Sequence, residues 1–124
     1  MFLLDTSVVV AALVREVASA RIIDWMRTHS RALAVSTWLE AEFSAALAMK
    51  RRMNQLTEED RLAALRLYGD MIGLPFEVVE VMRPDFEDAA RLCDDWELGL
   101  RAPDALHLAI ALRSGRRLAT LDEK

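Results

Sequence analysis

Phe2-Leu3-Leu4-Asp5-Thr6-Ser7-Val8-Val9-Val10 runs apolar, acid, two hydroxyls, apolar. The first apolar run is too short for a helix and suits a buried strand, whereas the second opens a longer stretch with helical spacing. Asp5 therefore stands where a strand turns into a helix. The valines leave no room for a polar surface loop, and an acid wedged between two apolar segments needs a partner. One partner is local, because Asp5 can cap the helix after it. The other reading is a site at the carboxyl end of a strand, where loops and helix N-termini converge in an open parallel sheet.

The same pattern recurs outward from this stretch. Leu33 to Ser36 is apolar and ends in hydroxyls, Glu77 to Met82 is β-branched, and Arg117 to Leu121 ends at Asp122. Between these four strands, helical spacing covers Val8 to Val14, Val17 to His29, Trp38 to Met53, Glu58 to Ile72, Phe86 to Leu98 and Pro103 to Ser114. Thr57 caps a first turn of Glu58-Glu59-Asp60, Gly73 and Pro75 end that helix, and Pro103 suits the first turn of the last helix. Strands separated by helices imply parallel pairing with right-handed crossovers. The expected fold is α/β, a three-layer α/β/α sandwich on a mostly parallel sheet of about four strands. The length of 124 residues fits a single domain spanning 1–124.

Composition narrows the function. Hydrophobic residues make up 53%, which excludes intrinsic disorder and leaves apolar surface for a partner. No apolar run approaches the length of a membrane span, and the segment before Asp5 lacks the basic residues of a secretion signal, so a cytoplasmic protein is expected. Cys93 is the single cysteine, reads as a small core hydrophobe and can form no internal disulfide. A net charge of −4 argues against a protein that coats nucleic acid over its whole surface. Local phosphate grips remain open at Arg51-Arg52, Arg101 and Arg116-Arg117.

Four acids separate themselves from the rest. Besides Asp5, Glu42 sits one helical turn from Trp38, Leu39, Ala45 and Ala46 with no Arg or Lys to pair with. A carboxylate on an apolar face is costly unless paired or metal-bound. Glu40, by contrast, has a local task, since Thr37-Trp38-Leu39-Glu40 has capping-box spacing. Asp104 lies in the first turn of a helix apolar on nearly every side, where the helix dipole favours negative charge. Asp122 repeats the arrangement at Asp5, an acid ending an apolar strand. Gathered together, four such acids would repel one another, and Mg²⁺ or Mn²⁺ relieves the repulsion while activating water, which points to phosphodiester hydrolysis.

Other side chains carry less. His107, one turn beyond Asp104, reads as a buried, hydrogen-bonded helix histidine rather than a proton shuttle, and His29 as a cap for helix carbonyls. Trp25, Trp38 and Trp96 are assigned to the core or an interface rather than to base stacking. A phosphorelay receiver would need paired acids after the first strand and a lysine near the last, but Asp5 is single and the lysines are Lys50 and Lys124. An aspartyl phosphatase would need an acid where Ser7 stands, and no P-loop is present.

Four segments together resemble a known family. Phe2-Leu3-Leu4-Asp5-Thr6-Ser7, Ser36-Thr37-Trp38-Leu39-Glu40-Ala41-Glu42, Ala102-Pro103-Asp104-Ala105-Leu106-His107-Leu108-Ala109 and Leu118-Ala119-Thr120-Leu121-Asp122 are similar, in order and spacing, to the acidic motifs of PIN-domain ribonucleases, within them the VapC-type toxins of bacterial toxin-antitoxin pairs. The resemblance implies endonucleolytic cleavage of RNA with Mg²⁺ or Mn²⁺, held by Asp5, Glu42, Asp104 and Asp122. It implies that Thr6, Ser7 and Thr120 orient a carboxylate or a water. It further implies a VapB-like antitoxin whose C-terminal segment covers the groove and often places an Arg among the acids, a homodimer, and promoter DNA reached only through the antitoxin. Asp122 lies two residues from Lys124, which reads as a truncated C-terminus or a loosely held fourth ligand. The alternative expectation is a PIN fold that binds a partner protein but does not cut.

Overall fold

The computed structural model describes residues 1–73 and 75–121. In chain order it contains β1 (Phe2–Leu4), α1 (Thr6–Leu13), α2 (Ser19–Thr28), β2 (Leu33–Ser36), α3 (Thr37–Arg52), α4 (Glu58–Met71), β3 (Glu77–Val79), α5 (Arg83–Asp94), a 3₁₀ turn (Trp96–Leu98), α6 (Ala102–Arg113) and β4 (Arg117–Ala119). The strands form one parallel sheet in the order β3-β2-β1-β4, with Leu3 opposite both Ala34 and Leu118, and Val35 opposite Val78. The expected α/β fold on a four-stranded parallel sheet is therefore present.

Strand periodicity of two distributes the core. Leu4, Leu33 and Val35 point into one cluster with Val8, Val9, Phe43, Tyr68 and Phe76, from α1, α3, α4 and the turn before β3. Their neighbours Leu3 and Ala34 point the other way, against Ala105, Leu106, Ala109 and Ile110 of α6. Helices thus cover both faces, and β1 at the centre is buried on each. Burial in both directions explains why its sequence is a continuous apolar run rather than an alternating one.

Several boundaries differ from those expected, most of them because a side chain captures a backbone group. β3 stops at Val79 rather than reaching Met82, since the Val81 N–H donates to Thr37 Oγ1 at 3.1 Å instead of to a strand. β4 stops at Ala119 rather than Leu121, because the Leu121 N–H turns away to Ser7 Oγ at 3.0 Å. The second helix begins at Ser19, whose hydroxyl accepts from Glu16 N–H and donates to the Val14 carbonyl. The fifth begins at Arg83, three residues before Phe86, and Asp85 accepts the Met82 N–H at 2.8 Å. It ends at Asp94, and Gly99, with φ of 63°, closes the separate 3₁₀ turn instead. The expected capping box at Thr37 does not form: Ser36 is the N-cap of α3, accepting from Leu39 N–H, and Glu40 is exposed.

The tryptophans divide. Trp25 packs edge-on to Phe2 beside the first core, and Trp38 packs against the second. Trp96 is not a core residue: it is 82% exposed on the 3₁₀ turn. Cys93 is half-buried against the second core, and His29 bonds the Trp25 carbonyl through Nδ1 as a cap should.

Candidate active site

Asp5 comes directly after β1 and is buried. The capping reading of it holds. Its Oδ1 accepts the Val8 N–H at 3.2 Å, which makes it the N-cap of α1, and also accepts the Ser7 hydroxyl at 2.6 Å. The Ser7 oxygen in turn accepts the Leu121 N–H, so one hydroxyl ties the end of β1 to the segment that leaves β4. Among the described residues, the hydrogen bonds of the carboxylate fall on Oδ1.

Glu42 is the junction of three elements. Its Oε1 accepts Thr6 Oγ1–H at 2.9 Å from the start of α1 and a hydrogen bond from His107 Nε2 on α6. The half-buried carboxylate is pushed up by desolvation, but the hydrogen bonds from His107 and from the Thr6 hydroxyl outweigh this and hold its pKa below the usual value. Glu42 is thus ionised at neutral pH. Asp104, half-buried in the first turn of α6, lies one turn before His107 and so on the same side of that helix. Thr6 adjoins Asp5, and His107 shares a face with Asp104, so the contacts at Glu42 draw all three acids toward one end of the sheet.

The donors fit a hard divalent cation in kind, being carboxylate oxygens with no sulfur among them. They are not closed into a cage, since no group of three His, Cys, Asp or Glu side chains among the described residues is placed to hold a metal ion. Asp122 lies outside the described residues. Leu121 before it is anchored by Ser7, and Thr120 is exposed just past β4.

The candidate phosphate grips separate. Arg101 is exposed at the N-cap of α6, immediately before Asp104's turn. Arg51 and Arg52 are exposed at the far end of α3, with Arg51 at 4.0 Å from Glu58. Arg116 precedes β4, at the sheet end opposite Asp5, where its Nη2 donates to Glu77 at 3.0 Å.

Two pairings escaped sequence reasoning. The partner of Glu42 is a histidine 65 residues away, and the only hint of it was that His107 stands one turn beyond Asp104. Asp85, fully buried, holds Arg113 through two hydrogen bonds of 2.6 and 3.0 Å, and no local pattern announces it.

The sequence matches the PIN domain over residues 2–124. The chain belongs to the PIN domain family. No curated protein matches it in sequence. Solved structures share the fold of this PIN domain. VapC20 of Mycobacterium tuberculosis, a sarcin-ricin loop cleaving toxin, superposes with a TM-score of 0.79 at 17% identity, covering 100% of this chain and 92% of that one. FitAcB from Neisseria gonorrhoeae gives 0.75 at 20% identity, over 98% and 88%. PAE2754 from Pyrobaculum aerophilum gives 0.72 at 24% identity, over 98% and 74%.

Proposed function

We propose that this PIN domain is a metal-dependent endoribonuclease, the toxin of a type II toxin-antitoxin pair, acting in the cytoplasm. The observation that carries the reading is the junction at Glu42, where α1, α3 and α6 bring motif residues from three parts of the chain into contact. Family membership over residues 2–124 supports the nuclease class, and the likeness in fold to toxins such as VapC20 supports the toxin role. Among the described residues no helix is long and apolar enough to cross a membrane, which agrees with a cytoplasmic site of action.

Asp5, Glu42, Asp104 and Asp122 would hold Mg²⁺ or Mn²⁺. The cation supplies positive charge for the scissile phosphate and acidifies water at neutral pH. Ser7 orients the Asp5 carboxylate and Thr6 that of Glu42, Thr120 is a further supporting hydroxyl, and Arg101 at the mouth of the site offers a planar donor fork to RNA phosphates, with Arg51, Arg52 and Arg116 as more distant grips. A VapB-like antitoxin is the proposed partner. Its C-terminal segment would cover the groove of the acids, and an apolar cleft of about 350 Å³ between α1, α2 and α4, lined by Leu13, Ile23, Met26, Leu67 and Met71, offers a further seat. The active form is proposed to be a homodimer that reaches promoter DNA only through the antitoxin.

Asp5→Asn is the decisive variant, because asparagine caps a helix as well as aspartate does and the fold is expected to survive. Metal-dependent RNA cleavage should fall by about a hundredfold or more, the scale of losing one electrostatic contact to the transition state. An unchanged rate refutes the assignment. Calorimetry with Mn²⁺ separates the other reading: no heat of binding, together with no change on Asp104→Asn, identifies a PIN fold that binds a partner without cutting.

A further inference from the structure

His107 is 2% exposed, and the two nitrogens of its ring have opposite fates. Nε2 meets Glu42 Oε1, whereas Nδ1 is buried with no hydrogen-bond partner among the described residues. An ionised carboxylate can only accept, so Nε2 carries a proton and Nδ1 is the unsatisfied atom. If this position existed only to fill buried space, an aliphatic side chain would fill it without stranding a polar atom. What the ring does make is the contact with Glu42, and it shares Oε1 with the Thr6 hydroxyl.

We propose that His107 is a positioning residue for Glu42: with Thr6 it engages Oε1, so that Oε2 is the oxygen offered to a divalent cation. The inference rests on the nuclease reading above, in particular on Glu42 as a ligand. It requires a neutral donor at the place of Nε2, and nothing else from the ring. Glutamine carries an N–H at nearly that reach, asparagine falls one carbon short, and leucine fills the space without a donor.

The test uses the 124-residue chain, whose two histidines are His29 and His107. In a ¹H–¹⁵N spectrum of the imidazoles, the signal lost in His107→Gln identifies His107. It is expected to show an Nε2-bound proton, and addition of Mg²⁺ should move it while the His29 signal stays in place. By calorimetry, His107→Leu and His107→Asn should bind Mn²⁺ about 10- to 100-fold more weakly than wild type, the usual cost of losing a group that orients a ligand. His107→Gln should recover most of that affinity, and single-turnover RNA cleavage should show the same order. Wild-type affinity in both the leucine and asparagine variants, or Mg²⁺ leaving the His107 signal unmoved, overturns the proposal while the nuclease reading stands. If the leucine variant fails to fold, equal affinities for glutamine and asparagine overturn it. A wild-type chain that neither binds Mn²⁺ nor cleaves RNA overturns both.

Discussion

Single hydroxyls decide how the acids are held. Thr6 sits at the first position of α1, and its hydroxyl donates to Glu42, on another helix. Thr6→Val keeps the shape and removes the donor, so RNA cleavage is expected to fall by about tenfold with little change in melting temperature. Thr6→Ser should retain the rate, and equal rates for serine and valine would show that the hydroxyl is idle. Asp5 illustrates why a residue with two tasks is hard to read from sequence. Its capping bond to Val8 satisfies the local expectation completely, yet its burial and the bridge through Ser7 to Leu121 go beyond what capping requires.

Between elements, the strongest polar contact outside the site is the clasp of Asp85 on α5 to Arg113 on α6. Arg113 also donates to the Glu80 carbonyl at 2.8 Å, so one guanidinium joins α6, the start of α5 and the chain leaving β3. This clasp ties α6, which carries the candidate residues Asp104 and His107, to α5. Burial pushes the Asp85 carboxyl up, but the Arg113 hydrogen bonds and charge and the Met82 N–H overcome it and hold the pKa below the usual range. A carboxylate depressed in the folded state contributes stability that is complete above its unfolded pKa, near 4, and is lost as pH falls through the folded value. Asp85→Ala removes the carboxylate from the partly exposed Arg113 and from the Met82 N–H and should cost about 1–2 kcal/mol at neutral pH. Chemical denaturation at pH 7 and at pH 3 measures both points, and the wild-type advantage over the variant should shrink at the lower pH. An equal difference at the two pH values would show that Asp85 titrates normally.

At the scale of the whole molecule, Asp5, Glu42 and Asp104 follow or start elements at the carboxyl end of the parallel sheet, and the apolar cleft of α1, α2 and α4 opens elsewhere. Leu67 is 44% exposed on the rim of that cleft. Leu67→Glu should therefore leave RNA cleavage by the isolated chain unchanged and weaken neutralisation by the antitoxin by about tenfold or more, as for a buried apolar anchor. Full neutralisation of the variant would place the antitoxin on another surface. The layered fold was legible from Phe2 to Val10 onward, because burial of a central strand on both faces forces a continuous apolar run, and the helix start beyond it favours an acid or hydroxyl as its cap. The suspicion on Glu42 was legible too, from the absence of any local partner. Its true partner was not, nor was the pairing of Asp85 with Arg113, since neither contact lies within a helical turn or across a predicted hairpin. Periodicity and capping act over a few residues, so the chain alone determined the elements and singled out which acids are candidates. Which side chains meet depended on how α3, α5 and α6 dock on the sheet, and that docking is settled by packing among residues far apart in sequence.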